Sequence, residues 1–281
     1  MPSKKVVLTV LVACTASRYF LTLLLGSWCL ILAGPVLAQD EADLAKASQN
    51  PVGSLISLPF QNNTSFGIGP TDAMSNVLNI QPVYPVPLSK DWNLVNRGII
   101  PIIYQQEIVP GSGSTSGLGD ISYTAFVAPA EAGKLIWGVG PAFTLPAASD
   151  DAFASDKWSV GPGVVVMTMP GNFVLGALMQ NVWSFAGDSA AADVNEGFIQ
   201  LILNYNMKQG WYLTSVPVIT VDWEADSDNR WTVPVGGGVG KITRLGAQPL
   251  DVQMQAFYNV KKPDGGADWS LRLQFKLLFP K

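Results

Sequence analysis

The sequence predicts an all-β chain: a transmembrane, up-and-down antiparallel β-barrel of about twelve strands (10–14), preceded by a short helix. Three observations predict it. Apolar and polar residues alternate with period two in segments of about ten residues. The connections between segments are by turns short and long. The tryptophans stand at the ends of the segments rather than in their middles.

Residues 1–38 read as a secretory signal peptide with cleavage after Ala38. Lys4 and Lys5 make a positive start. An apolar stretch follows, is interrupted near Arg18, and resumes from Tyr19 to Ala33. Gly34-Pro35 breaks it, and Val36-Leu37-Ala38 supplies a small residue at the cut. Lipid attachment at Cys14, after Leu11-Val12-Ala13, is a lesser reading. A retained anchor is another, but the second apolar run of about 15 residues is short of the ~20 needed to span a bilayer. Both cysteines, Cys14 and Cys29, lie in this leader, so the chain beyond it carries no thiol.

Residues 39–51 form a periplasmic N-terminal segment. Ala42, Leu44, Ala45 and Ala47, with acids early and Lys46 late, fit a short helix that either hangs free or tucks into the barrel mouth.

Residues 52–281 are the barrel. Its last strand is the clearest: Trp269, Leu271, Leu273, Phe275, Leu277 and Phe279 alternate with Ser270, Arg272, Gln274 and Lys276, and Leu278 is the exception. In the segment before it, Leu250, Val252, Met254, Ala256, Tyr258 and Val260 alternate with Asp251, Gln253, Gln255, Phe257 and Asn259. The same rhythm runs through 198–205 and 118–127. Twelve segments follow in all: about 52–66, 76–86, 91–104, 118–128, 134–145, 157–169, 172–185, 195–207, 210–223, 230–242, 248–260 and 268–279. One set of connections is short, such as Pro170-Gly171 and Lys208-Gln209. The other is longer and rich in Gly, Ser and Asp, as in 105–117 and 146–156. Seven prolines oppose this reading from inside the segments: Pro59, Pro82, Pro101, Pro141, Pro162, Pro217 and Pro234. Each removes a ladder hydrogen bond, and a closed barrel has no free edge to hide the loss.

Trp92, Trp137 and Trp211 lie beside short turns, and Trp158, Trp183, Trp223, Trp231 and Trp269 beside long loops. Two rings of indoles match the two membrane–water interfaces. In a soluble sandwich, core tryptophans would fall mid-strand at least as often. Charge is sorted too. The long connections carry thirteen acids against Lys157, Arg230, Lys261 and Lys262, while the short turns are net basic. This is read as a solvated acidic rim, with cation bridging to lipopolysaccharide as the lesser alternative.

Composition excludes several functions. Charged residues make up 14% of the 281-residue chain, against roughly 25% in ordinary soluble domains. Mean hydropathy is +0.25. The part beyond residue 38 has 14 basic and 21 acidic residues, a net charge of −7, so it lacks the basic footprint of a nucleic-acid binder. There is no histidine, which removes the Ser-His-Asp triad, the Cys-His dyad and any His-ligated metal. Neither a metal nor a cofactor is expected, and the chain is not read as an enzyme. Gly236-Gly237-Gly238-Val239-Gly240-Lys241 only faintly resembles a phosphate loop, since the spacing and the following Ser or Thr are missing.

The polar faces point into the lumen. Candidate lining residues are Arg97, Asp120, Ser122, Gln200, Asn204, Asp222, Asp251, Gln253, Gln255, Arg272 and Gln274. Their mixed signs either brace a closed interior or line a narrow polar channel.

Several stretches resemble the family called the MetA-pathway of phenol degradation, whose bacterial members are also labelled transporters or neuromedin U. They are Asn50-Pro51-Val52, Ser57 to Asn63, Leu78 to Pro82, Asp91 to Leu94, Gly117 to Asp120, Ile136 to Pro141, Val182-Trp183-Ser184 with Ala186-Gly187-Asp188, and Trp223 to Asp226. The resemblance covers nearly all of the chain beyond residue 38. It implies an outer-membrane barrel that moves small aromatic or hydrophobic compounds, and it implies no role for any one residue. The expected function is therefore a passive bacterial outer-membrane channel. Its partners are membrane lipid, lipopolysaccharide and a small permeant, with the oligomeric state left open. A closed structural or partner-binding barrel is the first alternative, and a soluble periplasmic β-sandwich that binds a ligand is the second.

Overall fold

The computed structural model describes residues 37–131 and 133–280. The signal peptide expected over 1–38 lies outside them, apart from its last two residues. The first described element is a helix, α1 (Leu37–Ser48). Fifteen strands follow: β1 (Ile56–Ile68), β2 (Ala73–Ile80), β3 (Val83–Pro87), β4 (Trp92–Gln105), β5 (Thr115–Leu118), β6 (Ile121–Pro129), β7 (Ile136–Leu145), β8 (Lys157–Thr168), β9 (Phe173–Gly187), β10 (Asn195–Asn206), β11 (Trp211–Ser215), β12 (Val218–Asp222), β13 (Trp231–Leu245), β14 (Gln248–Lys261) and β15 (Trp269–Phe279).

All pairings are antiparallel, and β1 pairs with β15 from Ile56↔Phe279 to Phe66↔Trp269, which closes the ring. Three pairs of pieces, β2/β3, β5/β6 and β11/β12, are single staves interrupted once, so the barrel has twelve. Closure sets aside the soluble sandwich. Among the described residues no helix is long and apolar enough to cross a membrane; a barrel crosses with strands.

The prolines explain the interruptions. Pro82 and Pro217 sit in two of the three gaps, and Pro59 lies opposite the first of these, where Gln81 N–H donates to its carbonyl. Pro101 lies opposite the third, accepting from Gly119 N–H. Pro234 falls on a bulge in the β13–β14 ladder. Pro141 and Pro162 face each other across β7–β8. Each is preceded by a glycine. A Cβ on Gly140 would stand 1.8 Å from the Ala125 carbonyl oxygen, and one on Gly161 1.8 Å from that of Asn181. The wall folds tightly there, and only glycine fits.

Outside, the strands present the expected apolar surface. Leu175, Met179, Leu203, Leu213, Val239, Met254, Leu273 and Phe275 are all exposed, whereas Asp251 and Gln255 on the opposite faces are each 1% exposed. This inverts a water-soluble protein, where large exposed apolar patches are rare. It is what a strand between hydrocarbon and a polar lumen requires. The indoles behave likewise. Trp92, Trp158, Trp183, Trp211, Trp223 and Trp269 are exposed, while Trp137 and Trp231 are half-buried, each edge-on to an indole of its own ring: Trp137 to Trp92 and Trp231 to Trp223.

The interior is not uniformly polar. Val95, Phe126, Ala128, Ile136, Val165, Met167, Val174, Leu178 and Ile202 point inward and pack with Val52 into a dry cluster against β4 and β6–β10. The polar interior belongs mainly to β14, β15 and β1.

Candidate lumen site

Inward side chains on β1, β4, β10, β14 and β15 surround a cavity of about 120 Å³ inside the barrel. It brings together eight of the eleven residues predicted to line the lumen: Arg97, Gln200, Asn204, Asp251, Gln253, Gln255, Arg272 and Gln274. Period two alone puts them there, because every second residue of a strand takes the same face. Leu178, Ile202 and Val83 complete the lining with apolar surface.

The other three lie elsewhere. Asp120 sits in the gap between β5 and β6, and its carboxylate accepts from the N–H groups of Ala147, Ala148 and Ser155 and from the Ser155 hydroxyl. It organises the long loop after β7. Asp222 is exposed at the end of β12, paired in register with Glu196, and accepts from Glu224 N–H. Ser122 takes its place in the β6 ladder opposite Ile99 and Thr144, outside the cavity.

One end of the cavity is built from the N-terminal segment. The α1 helix does not hang free. Ala45 packs against Ile242 and Leu278, with Leu44 and Leu55 beside them. That contact explains Leu278, the single apolar residue on the polar face of the last strand. Beyond the apolar contact lies a buried polar cluster. Asp251 accepts from the Tyr212 hydroxyl and from Ser48 Oγ at 3.0 Å, and lies 3.7 Å from Lys276 Nζ. Lys276 in turn donates to the Ser48 carbonyl at 2.7 Å. Gln49 and Asn206 exchange two amide hydrogen bonds, and Lys46 caps the carbonyl of Gly171. Gly240 is required here: a Cβ on it would stand 2.1 Å from the Tyr212 ring. Of the glycine run that faintly resembled a phosphate loop, Gly240 lies against this tyrosine, while Gly236 and Gly238 lie against the backbone of Ala256 and Met254.

A second cavity of about 300 Å³ lies on the other side of the same segment, lined by Lys46, Asn93, Trp137 and Met169 among others. Ala47, Asn50 and Leu55 line both cavities. The stretch from Ala47 to Leu55 is therefore a partition between them.

The two arginines are held differently. Arg97 donates one bond, from Nη2 to Gln81 Oε1 at 3.1 Å. Arg272 donates to Asn63 Oδ1 at 2.9 Å and to the Val216 carbonyl at 2.7 Å, with its guanidinium 4.9 Å over the Phe257 ring. Val216 lies in the gap before Pro217, and its N–H donates to Gln255 Oε1. Lumen side chains thus take up the backbone groups that the broken stave releases. Gln61, Gln81, Ser48 and Tyr212 are lining residues that the sequence reading missed. Gln81 lay in a gap, Ser48 and Tyr212 needed the helix and its partners to be placed, and Gln61 lies on β1, whose run of polar residues hides the alternation.

The sequence profile of the family described as "Putative MetA-pathway of phenol degradation" matches residues 59–275. The chain belongs to this family. No curated protein matches it. Among solved structures, the COG4313 outer membrane channel from Pseudomonas putida F1 is similar at 19% identity and a TM-score of 0.62, covering 82% of this chain and 97% of that one. That likeness is one of fold: this chain's barrel has the fold of that channel's. Looser likenesses, at TM-scores of 0.45 and 0.40, link the chain to the CymD monoaromatic hydrocarbon channel (9% identity, 86% and 91% covered) and the P. putida toluene transporter TodX (11% identity, 83% and 92% covered).

Proposed function

We propose that the protein is a passive channel of the bacterial outer membrane for small aromatic or hydrophobic compounds, exported by a signal peptide cleaved after Ala38. The observation that carries this reading is the lumen itself. A lipid-facing barrel encloses an amphipathic cavity, with amides and arginines on one wall and Leu178, Ile202 and Val83 on another. A bracing interior would fill that space. Membership of the phenol-degradation family and the fold shared with an outer-membrane channel support the same direction. The lumen residues act by offering alternative contacts along a path rather than by chemistry, so the chain is read as a transporter and not an enzyme.

One observation favours a closed barrel: the Ala47–Leu55 partition and its pinning through Ser48 and Gln49. Planar-bilayer recording separates the two readings. Folded protein that resists SDS until boiled is expected to give discrete current steps, and removal of residues 39–50 to enlarge them. A silent full-length chain whose truncated form conducts would favour a gated barrel. Silence from both would end the channel reading.

A further inference from the structure

We propose that the inner cavity is a binding site for a small organic anion, a carboxylate or phenolate borne on a body of about one ring, held by Arg97 and Arg272. This rests on the channel reading and narrows its permeant.

The argument begins with charge. The charged groups lining the cavity are Arg97, Arg272, Lys276 and Asp251. Asp251 is taken up by Lys276, Tyr212 and Ser48. Two guanidinium charges remain in a confined space, and among the described residues neither has a carboxylate within ion-pair distance. Enclosed charges are normally paired, because desolvation is expensive without a counter-charge. A guanidinium carries five donors in a planar fork suited to a carboxylate. Arg97 spends one, on a neutral amide. Arg97 is also one of the residues that line the cavity.

The body of the ligand follows from size and polarity. The cavity measures about 120 Å³, of the same order as the ~150 Å³ apolar cavity known to hold benzene. Leu178, Ile202 and Val83 give its apolar wall. Chloride or sulfate would leave that wall unused, and a neutral arene would leave the arginines unpaired.

Calorimetry on the folded protein in detergent tests this, with sodium benzoate, benzyl alcohol and sodium sulfate as probes. Benzoate is expected to bind at least about tenfold more tightly than either of the others, since a charge-assisted pair is worth that much in a screened pocket. Arg97→Gln should weaken benzoate about tenfold and leave benzyl alcohol unchanged. Arg97→Lys, which keeps the charge and loses the fork, should fall between. Arg272→Gln is a secondary variant, because Arg272 also braces Val216. Equal affinity for benzoate and benzyl alcohol would overturn the proposal, as would sulfate binding as well as benzoate or benzoate binding indifferent to Arg97→Gln. Heat of binding requires no current. A barrel silent in bilayers that binds benzoate loses the channel reading and keeps this site, and one that conducts but ignores benzoate does the reverse.

Discussion

The last two strands and the β8–β9 hairpin are the same kind of object in the same wall, yet they read differently. On β14 and β15 the inward residues are mostly polar (Asp251, Gln253, Gln255, Arg272, Gln274 and Lys276, with Phe257 and Leu278 the apolar exceptions), and the outward ones are apolar. On β8 and β9 the inward residues Val165, Met167, Val174 and Leu178 are apolar, with Lys157 and Ser159 at the start of β8 the buried polar exceptions, and the outward residues Val166, Phe173, Leu175 and Met179 are apolar too. The outer face of both is apolar and exposed. The inner face of the first meets a polar cavity and that of the second meets packed side chains. Period two is therefore visible only where the two faces meet different solvents. The comparison also divides labour: the dry wall is held by packing and the wet wall by hydrogen bonds and ion pairs that a ligand can share.

The largest effect that would break this contrast is a charge in the dry wall. Phe126 is fully buried. Phe126→Asp should yield no SDS-resistant barrel at all, since it puts a carboxylate into an apolar cluster. Phe126→Ala should fold but lose about 3–5 kcal/mol, read from urea unfolding in detergent. A normal gel shift and urea midpoint for Phe126→Asp would mean that this wall is wet.

Next comes the tight fold at the paired prolines. A Val at Gly140 would drive its Cβ into the Ala125 carbonyl, which requires strands to separate. Gly140→Val should abolish or severely slow barrel formation, while Gly171→Ala, in a turn where an added Cβ meets nothing, should be mild despite the positive φ. Refolding yield, read by the heat-dependent gel shift, distinguishes them.

Where the wet wall meets α1 stands Asp251. Asp251→Asn keeps the shape and removes the charge that Lys276 faces, and it weakens the tie to Ser48. Breaking a buried pair costs about 3–5 kcal/mol when the partner stays charged and dry; a cavity that admits water lowers that. The loss should appear in stability, and also as longer or larger conducting events as the partition loosens. Unchanged current with reduced stability would mean that the segment stays seated without this tie.

Much of this was legible before the structure. The barrel and its twelve staves followed from alternation and spacing, and so did the phase that brings eight of the named residues around one cavity. What was not legible depends on contacts distant in sequence. Leu278 looked like a flaw in a regular pattern until α1 covered it. Phe126 and Ile202 kept the inward phase but not the polarity that usually marks it. Asp120 had the right phase and a different task, because a gap in its stave turned it toward a loop. The prolines argued against any regular ladder, and the ladders break where they stand.

The smallest expected effect concerns the wet wall by itself. Gln253 lines the cavity and accepts from the neighbouring Gln255 amide. Gln253→Leu removes one neutral hydrogen bond facing open space and adds apolar surface of similar volume. On a wall of packed side chains such a swap would strand a polar partner at about 1–3 kcal/mol. Here water in the cavity can satisfy Gln255, so stability should change by less than about 1 kcal/mol. Benzyl alcohol should gain from the added apolar surface more than benzoate does. A stability loss as large as that of Phe126→Ala would show that the two walls are packed alike, and that the cavity between them is a seam rather than a site.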